Sequence, residues 1–347
     1  MPKNLHISNN GYTFALSLRD KGFTNIINNI ILQVMANNNF VYEKINSIVI
    51  DALNKGICPW HQPWVNKGNN GYISRSGHAY SYLNSILLMA QGKPCGEFIT
   101  LKQANAEGGK IKKGAKSAIV TFYTRLVVED KNGATEIDEN GNEKPKTRVI
   151  PLLKYYHVFH IDDVEGLEAK HFGKDSGKVV EPIAAAEEVL QAYLNSEGAP
   201  TFAEGGDEAF YSPLRDHVQV PLRAQFKSAE EYYSTAFHES VHSTGHKSRL
   251  NRLTATYFGS EDYSEEELVA EIGAAAILNQ CGIDSAKCYN NSIAYLQGWA
   301  KQLADKPKAF AVAAARAEKA ANWVMGDRSQ AQATDGNTKS TKGKKAA

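Results

Sequence analysis

No run of about 18 apolar residues occurs anywhere in the 347-residue chain, so no membrane-spanning helix is expected. Cysteine is scarce: Cys58, Cys95, Cys281 and Cys288 are widely scattered, with no Cys-x-x-Cys pair. That argues against a thiolate zinc site or a disulfide framework and suits reduced thiols in the cytoplasm. The N-terminus lacks a basic region followed by a cleavable apolar core, because its apolar patch at 26–34 is interrupted by Asn28 and Asn29; no secretory signal is read there. Net charge is also nearly absent, at +1 from 39 Lys and Arg against 38 Asp and Glu. With 42% hydrophobic residues, the composition is that expected of a soluble globular protein long enough for two domains.

The near-neutral total hides an asymmetry. Residues 41–160 carry 16 Lys and Arg against 10 Asp and Glu, whereas residues 200–326 carry 12 against 16, so the two halves are expected to face different partners.

The most informative stretch is 233–246, Tyr-Ser-Thr-Ala-Phe-His-Glu-Ser-Val-His-Ser-Thr-Gly-His. His238 and His242 are four residues apart, so in a helix they project from one face and offer two imidazole nitrogens to one cation. Glu239, next to the first, can serve as general base toward a water on that cation without filling a coordination position. A chance match to His-Glu-x-x-His in a chain of this composition is expected only roughly 0.02 times, so the pattern is read as one Zn2+ site per chain. A third histidine six residues after His242 would extend the motif, but position 248 is serine. The third ligand is sought instead in 264–273, where Glu267 and Glu271 are again four apart. Glu267 is assigned as ligand and Glu271 as the carboxylate orienting a histidine, with the reverse order left open. Glu265 and Glu266 read as a solvated, dipole-favoured first turn.

In chain order, residues 1–34 are polar and Asn-rich and are expected to be an extension or a misassigned start. Residues 41–55 form an amphipathic helix. Pro59-Trp60-His61-Gln62-Pro63-Trp64 is an extended loop whose tryptophans either belong to a satellite core or stack on unpaired bases. Helices are expected at 80–89 and 100–106. After them, Lys110, Lys112, Lys113 and Lys116 stand among glycines before a strand at 118–128, as a solvated hairpin entrance or a phosphate-tracking patch. A polar excursion at 129–148 holds Asn132-Gly133 and Asn140-Gly141, and strand character returns at 149–160. Residues 161–177 read as an interdomain connection. Beyond a helix at 183–194, the stretch 216–221 reads as an edge strand because Pro221 cannot donate to a ladder, and an extended peptide could pair with it. Helices at 291–303 and 308–325 follow, and the tail is expected to be disordered.

Taken together, these segments resemble the plasmid-borne ArdC-type antirestriction proteins, whose N-terminal part also occurs in conjugative primases. In the first half the likeness rests on Pro59-Trp60-His61-x-Pro63-Trp64, residues 80–88, Gly114-x-Lys116 and Tyr156-x-Val158-Phe159. In the second it rests on His238-Glu239-x-x-His242-x-x-Gly245-His246, Arg249-Leu250, Phe258-Gly259-Ser260 and Glu266 through Ile272. The resemblance implies an α+β protein of two domains, an α+β single-stranded-DNA-binding domain at 35–165 and, after a linker at 166–180, a mainly helical zincin-like metallopeptidase domain with a small sheet at 181–326. A tail at 327–347 completes the chain. It further implies an antirestriction role during entry of mobile DNA, single-stranded DNA as partner and an unidentified protein substrate. Trp60, Trp64, Lys110, Lys112, Lys113 and Lys116 are the candidate DNA contacts, and residues 35–165 alone are expected to bind the strand. The competing reading is a strand-coating protein whose zinc is structural or vestigial; Glu239 favours hydrolysis, since a structural site needs only its ligands.

Overall fold

The computed structural model describes residues 21–60, 71–129, 135–137, 143–172, 182–253, 261–288 and 293–328. Trp64, the two Asn-Gly pairs of the polar excursion and Phe258-Gly259-Ser260 lie outside them, as do residues 1–20, 173–181 and 329–347.

Helix α1 (Lys21–Asn54) runs straight through the boundary expected at residue 35. Ile26, Ile27, Ile30, Ile31 and Val34 recur at steps of three and four, so Asn28 and Asn29 do not break the helical period. Val34 is already buried, and the fold therefore begins before residue 35. There follow β1 (Tyr72–Ser74), α2 (Tyr82–Ala90), β2 (Gly96–Thr100), α3 (Leu101–Ala106), β3 (Lys110–Ile111), β4 (Ala118–Glu129), β5 (Thr135–Ile137), β6 (Glu143–Pro145), β7 (Thr147–His160) and β8 (Val164–Glu165). Thr100 caps α3 in a capping box with Gln103, which fixes where β2 turns into helix.

The main sheet has the order β1-β2-β7-β4, dominated by an antiparallel β4–β7 ribbon in register from Ala118↔Val158 to Glu129↔Thr147. Side-chain amides close its free edges. Gln91 pairs with both backbone groups of Ile119, at 2.8 and 3.0 Å, and Asn84 with both of Thr121, at 2.7 and 2.8 Å. Across the ribbon, Leu153 of β7 donates to Asn38 at 2.8 Å and accepts from Asn37 at 3.1 Å. Each amide supplies the donor and acceptor that a further strand would, so the edge is covered without being extended.

The first part of the expected linker is packed. β8 pairs with β3, and Leu167 and Ala169 lie against Ile99, Ala104, Ile161 and Val164. The N–H groups of Lys170 and His171 donate to buried Glu97 at 2.8 and 2.7 Å, and Arg75 binds Glu97, Glu107 and the Glu168 carbonyl. A fully buried carboxylate held by a guanidinium and two N–H groups must be met by this segment, which is why it cannot be a free connection.

The second half contains α4 (Pro182–Leu194), β9 (Thr201–Glu204), β10 (Phe210–Ser212), β11 (His217–Val220), α5 (Ala229–Thr244), α6 (Glu261–Gln280), α7 (Ile293–Ala304) and α8 (Ala309–Val324). Its small sheet has the order β10-β11-β9. β11, expected at the edge, is the central strand, antiparallel to β10 and parallel to β9; Pro221 falls just past its last paired residue and constrains nothing in the ladder. No peptide can therefore add to β11.

Helices α5, α6 and α8 pack on one another, and a Cβ at Gly273 would come within 3.0 Å of both methyls of Val241, so glycine there permits the close α5–α6 approach. One hydrophobic core crosses both halves: Val41, Ile45, Val49, Leu53, Trp60 and Leu87 share it with Phe237, Leu268, Leu303 and Phe310. Asn46 of α1 donates to the Leu303 carbonyl at 2.6 Å across the same contact. Among the described residues, no helix is long and apolar enough to cross a membrane.

Candidate metal centre

The site is set by two helix ends. At the start of α5 the Ser228 hydroxyl accepts from the Glu231 N–H, with Glu230 and Glu231 in the first turn where the helix dipole favours them. At its end Gly245 has an ordinary helical φ of −73°, but a Cβ there would lie 2.7 Å from Leu253 Cγ and 3.1 Å from the His242 carbonyl. It is glycine because the returning chain crosses it. That return brings two arginines onto last-turn carbonyls of α5: Arg249 donates to Ser243 O at 2.8 Å and Arg252 to Val241 O at 2.9 Å. Asp216, held by Arg249 and Tyr211, anchors this cap to the small sheet.

Between the helix ends, His238 and His242 project from α5 toward α6. Their Nε2 atoms are 3.1 Å apart, and Glu267 places one carboxylate oxygen 3.4 Å from His238 Nε2 and the other 3.4 Å from His242 Nε2. Ligands about 2.0–2.1 Å from a tetrahedral ion stand about 3.3–3.4 Å from each other, so each nitrogen has a Glu267 oxygen at ligand-to-ligand spacing, and one ligand atom from each residue lies within 4.8 Å of the other two. Two nitrogens and a carboxylate oxygen are also a donor set that suits a divalent ion of this class. His242 is buried, and His238 and Glu267 are partly exposed. The expected ligand trio is thus brought together, and it is the metal-competent cluster among the described residues.

Glu239 is buried beside it, close enough for its carboxylate to favour the charged form of His242. The carboxylate at the far ring nitrogen of His242 is Glu266, 3.6 Å from Nδ1, rather than Glu271. Glu266 is no solvated first-turn residue: it is buried and bridged by Arg252 at 3.1 and 2.6 Å, while Arg252 also donates to Thr244 Oγ1 at 2.7 Å. Burial alone would raise the Glu266 carboxyl, but His242 and Arg252 hold it well below the usual range. Burial would likewise lower His242, yet Glu266 and Glu267 push it up to about 9. Glu267, opposed by burial, is held far below its ordinary value by the two imidazoles. Glu271, one turn along α6, bears on the Tyr295 hydroxyl, which burial and Glu271 together raise. Glu265 meets Arg316 at 3.7 Å. Sequence reading had Arg249 and Glu266 only as marks of the family resemblance, with no role at the site, and missed Arg252; a further signal was two arginines soon after the helix-stopping glycine.

The candidate DNA contacts divide. Lys110, Lys112, Lys113 and Lys116 are exposed, but Lys112 Nζ donates to the Asp162 carbonyl at 2.6 Å and its N–H to Asp163 O at 2.9 Å, pinning the loop to the end of β7. Trp60 is 2% exposed and packs on Trp299 at 6.2 Å and Phe310 at 5.7 Å between ring centroids. It is a core residue and cannot offer a ring face to a base.

Comparison with known proteins agrees with this layout. Residues 39–159 match the N-terminal domain of anti-restriction factor ArdC, and residues 188–316 match the zincin-like metallopeptidase family. Two Escherichia coli proteins named DNA primase TraC are similar, one 35% identical over 292 residues and the other 33% over 293, each covering 82% of this chain. The chain spans 20% and 27% of their lengths. An uncharacterized protein of Sinorhizobium fredii (strain NBRC 101917 / NGR234) is 29% identical over 299 residues, covering 84% of this chain and 94% of its own. Crystal structures of the antirestriction ArdC protein from the R388 plasmid share 29% identity. The metal-free form has a TM-score of 0.60 over 83% of this chain and 98% of that one, and the Mn(II)-bound form has 0.61 over 82% and 97%. A metal-competent triad on α5 and α6, an ArdC N-terminal domain before it and a solved ArdC fold over nearly the whole of its length make this chain a member of the ArdC-type antirestriction family.

Proposed function

We propose that the chain acts in the cytoplasm as an antirestriction protein with two activities: its first half holds single-stranded DNA without sequence preference as mobile DNA enters a cell, and its second half is a zinc metallopeptidase. The observation that carries the hydrolytic reading is the His238–His242–Glu267 triangle with Glu239 buried beside it. Bound by these three residues, one Zn2+ per chain would supply Lewis acidity, making water more acidic and polarising a peptide carbonyl. Glu239 accepts the proton of the attacking water and returns it to the departing amine. With the ion bound, Glu266, 3.6 Å from Nδ1, would keep the His242 ring proton on that side and leave Nε2 to the ion, and Arg252 keeps Glu266 in place. Support for the strand-binding reading is the excess of basic residues over 41–160, the exposed lysine loop and the ArdC-type N-terminal domain.

The test is incubation of the zinc-loaded full chain with candidate host proteins, with and without single-stranded DNA, beside Glu239→Ala. Cleavage by the wild type that disappears in the variant is expected. Equal products from both would reject the peptidase, and protection of transferred DNA that survives Glu239→Ala would leave antirestriction to strand binding alone.

A further inference from the structure

With Trp60 in the core, the surface that meets unpaired bases must be sought elsewhere, and the β4–β7 ribbon carries one. Residues directly opposite in an antiparallel pair share a face, so Val120↔Tyr156 and Phe122↔Lys154 place Phe122, Lys154 and Tyr156 on the same side. Phe122 is 60% exposed and Tyr156 45%, and they are diagonal neighbours with the lysine beside both. Toward β2 this face is closed by the cluster of Tyr72, Phe98, Val120 and Val158; the open part begins at the two rings.

From Tyr156 the surface continues past the edge of β7 that Asn37 and Asn38 cover into a groove of about 440 Å³ against α1, lined by Leu152, Lys154, Tyr155 and Tyr156 with Val34, Asn37 and Val41. Among the described residues, the lining holds one cation and no carboxylate. On the α1 side Lys44 sits 5.2 Å from the Tyr155 ring centroid and 5.9 Å from that of Phe40, itself half exposed. Rings of this kind, spaced along a path with ammonium groups between them, suit a polyanion whose bases have flat apolar faces. Among the described lining residues, a protein partner would find no carboxylate for its own cations.

We propose that Phe122 and Tyr156 are the base-stacking platform for single-stranded DNA, that Lys154 takes the intervening phosphate, and that the strand leaves along the α1–β7 groove past Tyr155 and Lys44. This inference rests on the strand-binding reading above and assigns it a place.

The test uses the full chain and a mixed-sequence oligonucleotide of about 20 nucleotides, single-stranded and as duplex, with affinity followed against salt. The double variant Phe122→Ala, Tyr156→Ala should weaken single-strand binding at least tenfold with an unchanged melting temperature, since both rings are exposed. Phe122→Trp should retain affinity. Lys154→Ala should lower the slope of log affinity against log salt by about one. If the wild type binds the single strand and the double variant binds it as tightly, the platform is wrong while the strand-binding reading stands. If the wild type binds no single strand at any salt, that reading fails and the platform with it.

Discussion

Two imidazole nitrogens 3.1 Å apart, each 3.4 Å from a carboxylate oxygen, need something positive between them, because lone pairs facing one another at that distance repel. A proton or a divalent cation serves. α6 supplies a different carboxylate to each nitrogen of His242: Glu267 shares the central position and Glu266 the Nδ1 side, with Arg252 taking up the rest of the Glu266 charge. The expected outcome, read by elemental analysis after dialysis, is one metal per chain in the wild type, loss in His242→Ala and in Glu267→Ala, and full occupancy in Glu271→Ala. Stoichiometric metal in His242→Ala, or its loss in Glu271→Ala with the fold intact, would overturn this ligand set. The histidine pair and Glu267 were legible because helical spacing dictates which side chains converge. Glu266 was not: inside the run Glu265-Glu266-Glu267, neighbouring carboxylates look alike, and which one is buried depends on Arg252 returning from another segment.

At the scale of elements, helix and strand positions followed from periodicity, since α2, α4, α7 and α8 lie where the apolar spacing puts them. Lateral order did not. Pro221 marks one backbone position that lacks a donor, and that position falls outside the ladder of β11; the order β10-β11-β9 depends on partners that alternation cannot name. The amides at Asn37, Asn38, Asn84 and Gln91 are likewise invisible in sequence, where they pass as ordinary polar residues. The segment after β8 gives a test. Burial alone would raise the Glu97 carboxyl, but Arg75 and the N–H groups of His171 and Lys170 hold it below the ordinary carboxylate value. Its folded pKa is depressed, so its contribution is complete above about pH 4.3 and fades as pH falls through the folded value. Glu107, on the same guanidinium and also on Lys170, is held down to about 2 and adds in the same direction. Glu97→Gln should destabilise the fold near pH 7, by less than the about 3–5 kcal/mol of a stranded buried charge because Glu107 still pairs with Arg75, and the gap to wild type should close on acidification. Denaturant melts from pH 7 to pH 3 measure this; a constant gap would show that Glu97 acts by packing alone.

At the scale of the whole molecule, the two family-matched segments, 39–159 and 188–316, are joined by a shared core rather than by a connection alone. Trp60 is the residue where this matters most. A tryptophan between prolines reads the same whether solvent or another helix lies over it, and here α7 and α8 supply Trp299 and Phe310 from far along the chain. A fragment of 35–165 would expose Val49, Leu53, Trp60 and Leu87, so it is not expected to fold cooperatively or to report DNA affinity faithfully. In the full chain, Trp60→Ala removes a large buried ring and should cost about 3–5 kcal/mol. Because the core is continuous, the loss should appear as a lower midpoint of one transition seen alike by probes in either half. At a temperature where the variant stays folded, its affinity for single-stranded DNA and its metal content should match the wild type, since neither the ribbon face nor the α5–α6 triad includes residue 60. A stacking role predicts the opposite pair of results, weakened binding with an unchanged midpoint, and observing that pair would return Trp60 to the DNA surface.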